Sequence, residues 1–301
     1  MGRRYVFWGW TSICQPGAFV ATLRAIRCAR SYVVVGVAQF SLRQVCRWLV
    51  LIECALETLH LAPGMASKLA GKLSWGCSQL FCRIGRAMLR PLYDQRTRRD
   101  GKVDRELERA LRWWLMVLKR HLAERRDWHV VQEEVLHMFC DARGSPPTLA
   151  AVLFVQDECL YTHMVPPAHV MEQFRSRKDQ QIMGLELLAI SLGLCTFQST
   201  LEGRRVVVHC DNTGSEVAIR RGTARSWDHA QLVHEQWLHA ACKQISIFVR
   251  RVCTDDNIAD LPSRGELELL AAVGAVEVEP MLAATYMLDA TWDVLQERWA
   301  L

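Results

Sequence analysis

Acidic residues stand where predicted secondary-structure elements end, and their type and spacing indicate metal-dependent chemistry. Asp141 follows the apolar segment "EVLHMFC", Asp211 follows "VVVHC", and Glu186 lies on the packing stripe of the helical segment "GLELLAISLGL". Three more aspartates crowd the stretch "VCTDDNIADLPSRG" at residues 252–265. Carboxylates held close together repel one another unless cations or solvent neutralise them. Magnesium suits such a cluster, and two ions about 3.5–4 Å apart activate water and stabilise the leaving oxygen in phosphodiester hydrolysis.

The elements that must position these acids alternate after Trp128. Strands are predicted over "EVLHMFCDA", "TLAAVLFVQ", "ECLYTHMV", "RRVVVHCD" and "ISIFVRRV", and helices lie between the later ones. The nearly continuous apolar run of the fourth strand is typical of the centre of a parallel sheet. Parallel pairing of the first and fourth strands would bring Asp141 and Asp211 side by side, about 4.8 Å apart. This order predicts an α/β fold with a mixed five-stranded sheet flanked by helices.

The first part of the chain has a helical pattern. Helices are predicted over residues 42–61 and over the segments "SKLAGKLSWGCSQLFCRIGRAMLRPLY" and "VDRELERALRWWLMVLKRHLAERR". The apolar stretch that begins at Ser31 contains arginines and glutamates, so we predict an amphipathic helix there and no membrane span. We divide the chain into a mainly helical region at 1–127, an α/β domain at 128–264 and an acidic helical tail at 265–301.

Charge is distributed unevenly, although the formal net charge is only +5. The first 52 residues hold seven arginines and no acidic residue, and residues 83–126 hold 14 Lys and Arg against 6 Asp and Glu. From Asp255 to the end there are 10 acids and 2 arginines. A basic N-terminal half indicates a polyanionic partner such as nucleic acid, or else a solvated, salt-bridged helix face.

The 12 cysteines lie scattered between Cys14 and Cys253 without a CxxC pair, which favours free buried thiols in a reducing compartment. His229, His234 and His239 are spaced five apart, which does not align metal ligands on one helix face. We therefore expect no zinc site. The expected location is cytoplasmic or nuclear, and a mitochondrial presequence is the alternative explanation of the acid-free start.

Several of these segments together resemble the ribonuclease H domain of retroelement reverse transcriptases, most closely the gypsy-like and DIRS-like groups. The matching pieces are "HMFCDA", "GLELLAISLGL", "RRVVVHCDNTGSEVAIRRG", "DHAQLVHEQW" and "RRVCTDDNIADLPSR". They cover residues 130–264, and the last is the most specific because it is similar to the ending of such domains. The region before residue 127 resembles, through "LAPGMASKLAGKLSWGCSQLFCRIGRAMLRPLY" and "LRWWLMVL", the thumb and connection region of the same polyproteins.

The resemblance implies a metal-dependent endonuclease that cleaves the RNA strand of RNA/DNA hybrids. By position, Asp141, Glu186, Asp211 and Asp260 match the four catalytic, metal-binding carboxylates, with two Mg²⁺ ions as cofactors and Mn²⁺ as the alternative. Asp260 is then the aspartate of the 252–265 cluster that the chemistry needs. The expected products carry 3′-hydroxyl and 5′-phosphate ends.

The other two aspartates of that cluster have a structural role in this interpretation. Either Asp255 or Asp256 caps the helix that begins near Asp260. Nucleic-acid contacts are expected from two asparagines beside the acids and from arginines of the helical region: Asn212, Asn257, Arg83, Arg86, Arg90, Arg98 and Arg99. A solvated helix face is the alternative for the arginines.

The sequence departs from the resemblance in two places. The loop "VCTDDN" lacks the histidine that many ribonucleases H carry there, and Ala142 stands where many have glycine. The only Asp-Asp pair lies in "CTDD", without the aromatic residue of a polymerase palm, so we expect no DNA synthesis by this chain alone. The resemblance to a thumb and connection region implies an upstream reverse-transcriptase palm as a partner. Three alternatives stay open: an inactive nucleic-acid-binding relic, a transposase or integrase on the same fold, and a structural partner of a polymerase.

Overall fold

The computed structural model describes residues 24–28, 31–37, 42–77, 83–98, 100–120, 125–126, 134–175 and 181–283. The N-terminal region is built mainly from helices, as predicted. Its elements are β1 (Arg24–Cys28), β2 (Ser31–Val37), α1 (Leu42–Thr58), α2 (Pro63–Cys77), α3 (Arg90–Gln95), α4 (Arg105–Arg120) and β3 (Arg125–Arg126).

The first correction concerns the apolar stretch from Ser31, which we predicted as one helix. Its beginning is strand β2, which pairs antiparallel with β1 and with β3, and the helix starts only at Leu42. The run of valines at 33–35 explains the difference, because β-branched side chains favour an extended backbone. Among the described residues, no helix is long and apolar enough to cross a membrane.

The second correction concerns the long helix predicted over residues 67–93. The chain instead forms α2, a short 3₁₀ turn at Ala87–Leu89 and α3. Gly85 has a φ of 83°, in the left-handed region, and a Cβ placed there would lie 3.0 Å from the Trp113 ring. The packing of α4 therefore requires a glycine at a bend where local periodicity predicts a continuous helix.

The second part of the chain has the α/β architecture that the sequence predicts. Its elements are β4 (Leu136–Gly144), β5 (Pro147–Val155), β6 (Glu158–Met164), α5 (Ala168–Arg175), α6 (Ile182–Thr196), α7 (Gln198–Leu201), β7 (Arg205–Cys210), α8 (Thr213–Arg221), α9 (Trp227–Cys242), β8 (Ser246–Arg251), α10 (Asp260–Arg264), α11 (Leu267–Ala272) and β9 (Val276–Glu277).

The sheet has the order β8-β7-β4-β5-β6-β9. Strands β4, β5 and β6 form an antiparallel meander, while β4 pairs parallel with β7, and β7 pairs parallel with β8. The sixth strand, β9, was not predicted and adds parallel to β6. The architecture is compatible with a ribonuclease H-like fold.

The strand β9 also changes the description of the predicted acidic helical tail. Within 265–283 the chain forms the six-residue helix α11 and then joins the sheet, where the Val278 amide donates to the Tyr161 carbonyl at 2.8 Å. Residues 284–301, which complete the predicted tail, lie outside the described residues.

Helices cover both faces of the sheet. Alternate β4 residues such as Met138 and Cys140 pack in the core under α6, whereas Phe139 packs with Ala259 and Leu270 beneath α10 and α11. Helix α6 is buried around its circumference, as is typical of a helix enclosed by other elements. A Cβ on Gly193 would lie 2.7 Å from the Met138 sulfur, so this glycine permits α6 to lie close to the sheet.

The helical region and the α/β domain share one hydrophobic core across the boundary predicted near residue 127. The Trp113 ring meets the His234 ring of α9 edge to face, with centroids 4.9 Å apart. Trp114 Nε1 donates to the Met88 carbonyl at 3.2 Å, which joins α4 to the turn that packs on α9. The two sequence regions therefore pack as one body at this junction.

Candidate active site

Three of the four predicted acids meet at one edge of the sheet. Asp141 lies on β4, and Asp211 follows β7 directly. The register pairs Phe139 with His209, so the two aspartates, each two residues further, are level on neighbouring parallel strands. Glu186 reaches the same edge from the first turns of α6, which packs on β4 and β5.

The three carboxylates form a compact group, which we call the acidic triad. One carboxylate oxygen from each of Asp141, Glu186 and Asp211 lies within 4.8 Å of the others. Asp141 and Glu186 are only 5% and 4% exposed, whereas Asp211 is partly exposed. A group with two buried acids and one at the surface has an open side from which a cation or substrate can enter.

Burial and mutual repulsion disfavour the charged forms in the absence of a cation. Burial raises the pKa of Glu186 from 4.5 to about 9, with further contributions from Asp141 and Asp211 and an opposing hydrogen bond from the Ala142 backbone. Burial also raises the pKa of Asp141, although a hydrogen bond from Ser263 opposes this, and Asp211 and Asp260 add to it. Both shifts are caused mainly by burial and in part by the neighbouring carboxylates.

One buried oxygen of the triad has no hydrogen-bond partner in the described structure. This atom is Glu186 Oε2, and buried carboxylate oxygens in proteins are normally paired or bound to a metal ion. A divalent cation would satisfy the unpaired oxygen and relieve the repulsion among the three carboxylates. The triad therefore fits a bound metal ion on geometry and on charge.

Two residues of the loop after β8 support the triad. Thr254 Oγ1 donates to Asp211 Oδ2 at 2.9 Å and holds that carboxylate. Asn257 is 3% exposed, and its Nδ2 donates to the Cys140 carbonyl at 3.0 Å, next to Asp141. Because Asn257 is buried and bonded to the backbone, the structure gives it a positioning role, which differs from the nucleic-acid contact expected of it.

The side chain of Asn212 also makes a hydrogen bond to nearby backbone. Its side chain caps α8 by accepting a hydrogen bond from the Ser215 amide at 3.0 Å. The cap fixes the start of α8 immediately after Asp211. Asn212 remains partly exposed beside the triad, so its placement is compatible with the expected contact.

Asp260, the fourth predicted acid, lies near the triad but is not part of it. It begins α10, and its Oδ1 accepts a hydrogen bond from Arg264 Nε at 2.8 Å. Its charge is close enough to contribute to the raised pKa of Asp141. Neither Asp255 nor Asp256 caps this helix, because both lie in an exposed 3₁₀ turn and Ala259 occupies the cap position.

Two of the predicted nucleic-acid arginines, Arg86 and Arg90, bind backbone carbonyls away from the triad. Arg86 Nη1 and Arg90 Nη1 donate to the carbonyls of Arg221 and Ala224, at 3.4 Å and 2.7 Å. These carbonyls are at the C-terminal end of α8, opposite the end that carries Asn212. Arg98 pairs with Asp104.

Of the two remaining arginines in that set, Arg83 lines a cavity beside α8, and Arg99 lies outside the described residues. The sequence alone did not reveal the contacts of Arg86 and Arg90, because they join residues 135 and 134 positions apart.

A pair of histidines, His137 and His209, lies on the strands that carry the two aspartates of the triad. His209 stacks on Phe139, with centroids 4.3 Å apart, and its Nε2 lies 2.9 Å from His137 Nδ1. Burial lowers the pKa of His209, and His137 and Arg250 lower it further. The spacing of two between His137, Phe139 and Asp141 is the signal that places all three on one face of β4.

Comparison of the sequence with protein-family models and with curated proteins finds no match. The chemistry of the site therefore has to be inferred from its own residues. Three carboxylates at the ends of two parallel strands and on a crossing helix can hold divalent cations at an accessible edge of the sheet.

Proposed function

We propose that the protein is a ribonuclease H that cleaves the RNA strand of RNA/DNA hybrids in a reaction dependent on two Mg²⁺ ions. The observation that carries this proposal is the acidic triad, with oxygens of Asp141, Glu186 and Asp211 within 4.8 Å of one another. The choice of an RNA/DNA hybrid as substrate depends on the resemblance of residues 130–264 to retroelement ribonuclease H domains.

The residues of the chain have separable roles in this proposal. Asp141 and Asp211 supply negative charge at the strand ends, and Glu186 supplies a carboxylate from α6 behind them. Thr254 orients the Asp211 carboxylate through its hydrogen bond, and Asn257 holds the loop that carries Thr254 against β4. Bound divalent cations supply activation of water and stabilisation of the leaving oxygen.

The partial exposure of Asp211 supports access of a polymeric substrate. The side chain lies at the rim of the sheet, next to the exposed turn at Thr254–Asp256, whereas Glu186 is 4% exposed. A phosphodiester group can therefore approach from the Asp211 side, and the buried Glu186 would be one of the residues that hold a cation.

The test is cleavage of an end-labelled RNA/DNA hybrid with and without Mg²⁺. We expect Mg²⁺-dependent cutting of the RNA strand, with 3′-hydroxyl and 5′-phosphate ends, and a rate lowered more than about 100-fold by Asp211→Asn, since loss of a metal-orienting group alone costs roughly 10–100-fold. Asp256→Asn is the matched control, because this exposed aspartate lies in the neighbouring 3₁₀ turn.

Parallel substrates separate the competing activities. Cutting of duplex DNA in preference to the hybrid would contradict the proposal and indicate a DNA transposase or integrase. Equal activity of the wild type and Asp211→Asn would contradict the assignment of cleavage to the acidic triad.

A second candidate, a nucleic-acid-binding protein without catalysis, is favoured by one observation. The Asp260 carboxylate pairs with Arg264 and lies outside the triad, so the fourth expected metal ligand is occupied. In that case the hybrid binds without being cut, and Arg264→Ala, which frees Asp260, restores no activity. Cutting by the wild type, or its appearance in Arg264→Ala, would reject this second candidate.

A further inference from the structure

An arginine-lined groove lies beside the C-terminal half of α8. A cavity of about 520 Å³ opens between α8, α9 and the edge strand β8. Its lining includes the guanidinium-bearing residues Arg83, Arg220 and Arg221, together with Trp237 and Phe248. Arg220 and Arg221 lie in the last turn of α8, whereas Asp211 precedes its first turn, and no residue of the acidic triad lines the cavity.

Positive charge dominates the groove. Arg83 and Arg221 make no ion pair with any described residue, and Arg220 pairs with Glu216 at 3.0 Å while remaining 66% exposed at its side chain. All the other side chains that line the cavity are apolar. Three arginines around one cavity repel each other, and an anion with several acceptor oxygens would relieve that repulsion through charge-assisted hydrogen bonds.

The groove is held in a fixed shape by contacts between the two parts of the chain. Gly222 ends α8 with a φ of 74°, and a Cβ placed there would lie 2.6 Å from the Arg83 Cβ and 3.0 Å from the Arg83 carbonyl. Arg86 and Arg90 bind carbonyls on either side of this contact. The backbone and Cβ of Arg83 are therefore fixed against α8 before any ligand binds, which lowers the entropic cost of binding.

An apolar wall lies beside the arginines. Phe248, on the edge strand β8, is 70% exposed, and Trp237 forms part of the floor. Exposed aromatic side chains next to arginines are a common arrangement for holding a nucleobase while its phosphate is bound. The volume also falls in the range of roughly 300–1,000 Å³ that small-ligand sites occupy.

We propose that this groove binds a nucleotide, with its phosphates against Arg83, Arg220 and Arg221 and its base against the apolar wall at Phe248. The ligand is either a free nucleotide or one nucleotide of a single strand, since both present the same phosphate and base. This proposal is independent of hydrolysis at the triad, because the groove contains none of the triad residues.

Binding is measured with the full chain in EDTA, which removes divalent cations from the triad. ATP is titrated by calorimetry, and a fluorescein-labelled single-stranded thymidine octanucleotide is titrated by polarisation. We expect Arg221→Glu to weaken binding at least about tenfold, because a hydrogen bond to a charged group contributes roughly one to two decades in affinity. Arg105→Glu is the control, since this exposed arginine begins α4 outside the groove and the charge change is the same.

Two further variants distinguish a loss of binding from misfolding. Arg221→Lys keeps the charge and should retain most of the binding, and Phe248→Ser should weaken binding without any change in net charge. Tighter binding of the octanucleotide than of ATP assigns the site to a strand, and comparable binding assigns it to a free nucleotide. The proposal is overturned if neither probe binds, or if Arg221→Glu and Arg105→Glu weaken binding equally.

Discussion

Replacement of Glu186 by glutamine should stabilise the metal-free protein near neutral pH. Burial and the neighbouring aspartates raise the pKa of Glu186 from 4.5 to about 9 in the folded state. Between these values the folded protein retains a proton that the unfolded chain releases, so the free energy of unfolding falls as the pH rises. Glutamine has nearly the same shape and does not ionise, so Glu186→Gln removes this penalty.

The magnitude follows from the pH interval over which only the unfolded chain is ionised. For a measurement at about pH 7 the interval extends from 4.5 to the measuring pH. Each pH unit lowers the free energy of unfolding by about 1.36 kcal/mol, which gives a penalty on the order of 3 kcal/mol. The pKa of about 9 in the folded protein lies above the measuring pH, so the unfolded chain alone is ionised over the whole interval. Asp141, whose pKa is also raised, contributes in the same direction in both proteins and largely cancels.

The assay is urea unfolding in EDTA at about pH 5 and about pH 7, monitored by circular dichroism. We expect Glu186→Gln to be more stable than the wild type at the higher pH and nearly equal to it at the lower. Mg²⁺ should stabilise the wild type more than the variant. Glu268→Gln, at an exposed position on α11, is the matched control and should show no such dependence. A variant less stable than the wild type at about pH 7, or a difference independent of pH, would refute the reasoning.

Three further predictions concern the supports of the triad. Thr254→Val removes the 2.9 Å hydrogen bond to Asp211 and should raise the Mg²⁺ concentration for half-maximal cleavage about tenfold. Thr223→Val is the control, and an unchanged Mg²⁺ requirement in Thr254→Val would contradict the orienting role of Thr254. Asn257→Ala leaves the Cys140 carbonyl unpaired and should lower the free energy of unfolding by about 1–3 kcal/mol in urea, and a loss below about 0.5 kcal/mol would show that water replaces the amide. Gly193→Ala places a Cβ 2.7 Å from the Met138 sulfur and should destabilise the protein by about 1–3 kcal/mol. Gly71→Ala, in open space on α2, should stabilise the protein by about 0.5–1 kcal/mol. Thermal unfolding of both variants distinguishes them, and equal effects would reject the close-packing explanation.

Local sequence pattern was sufficient to predict the edge of the sheet that carries the acidic triad. Asp141 and Asp211 follow short apolar runs whose length is typical of buried strands, and the helix between them carries Glu186 at helical spacing from its packing residues. Once the first and fourth strands are paired in parallel, the positions of the two aspartates follow from strand geometry alone.

Features that depend on contacts between distant parts of the chain could not be predicted from local sequence pattern. The bend at Gly85 exists because the Trp113 ring needs the space, and β9 exists because the edge of β6 accepts another strand. Arg86 has the composition of a phosphate-binding residue but donates to the carbonyl of Arg221. The partner of Asp260 is local, yet the choice between Arg264 and a metal ion depends on the charge of the site, which sequence spacing does not give.

The most direct test of the central claim is the position of Mn²⁺ in crystals of the protein, located by anomalous scattering. We predict peaks about 2.0–2.2 Å from carboxylate oxygens of Asp141, Glu186 and Asp211, with two ions about 3.5–4 Å apart when substrate is present. A triad without any anomalous peak at saturating Mn²⁺, with intact density for all three side chains, would contradict the metal-dependent account.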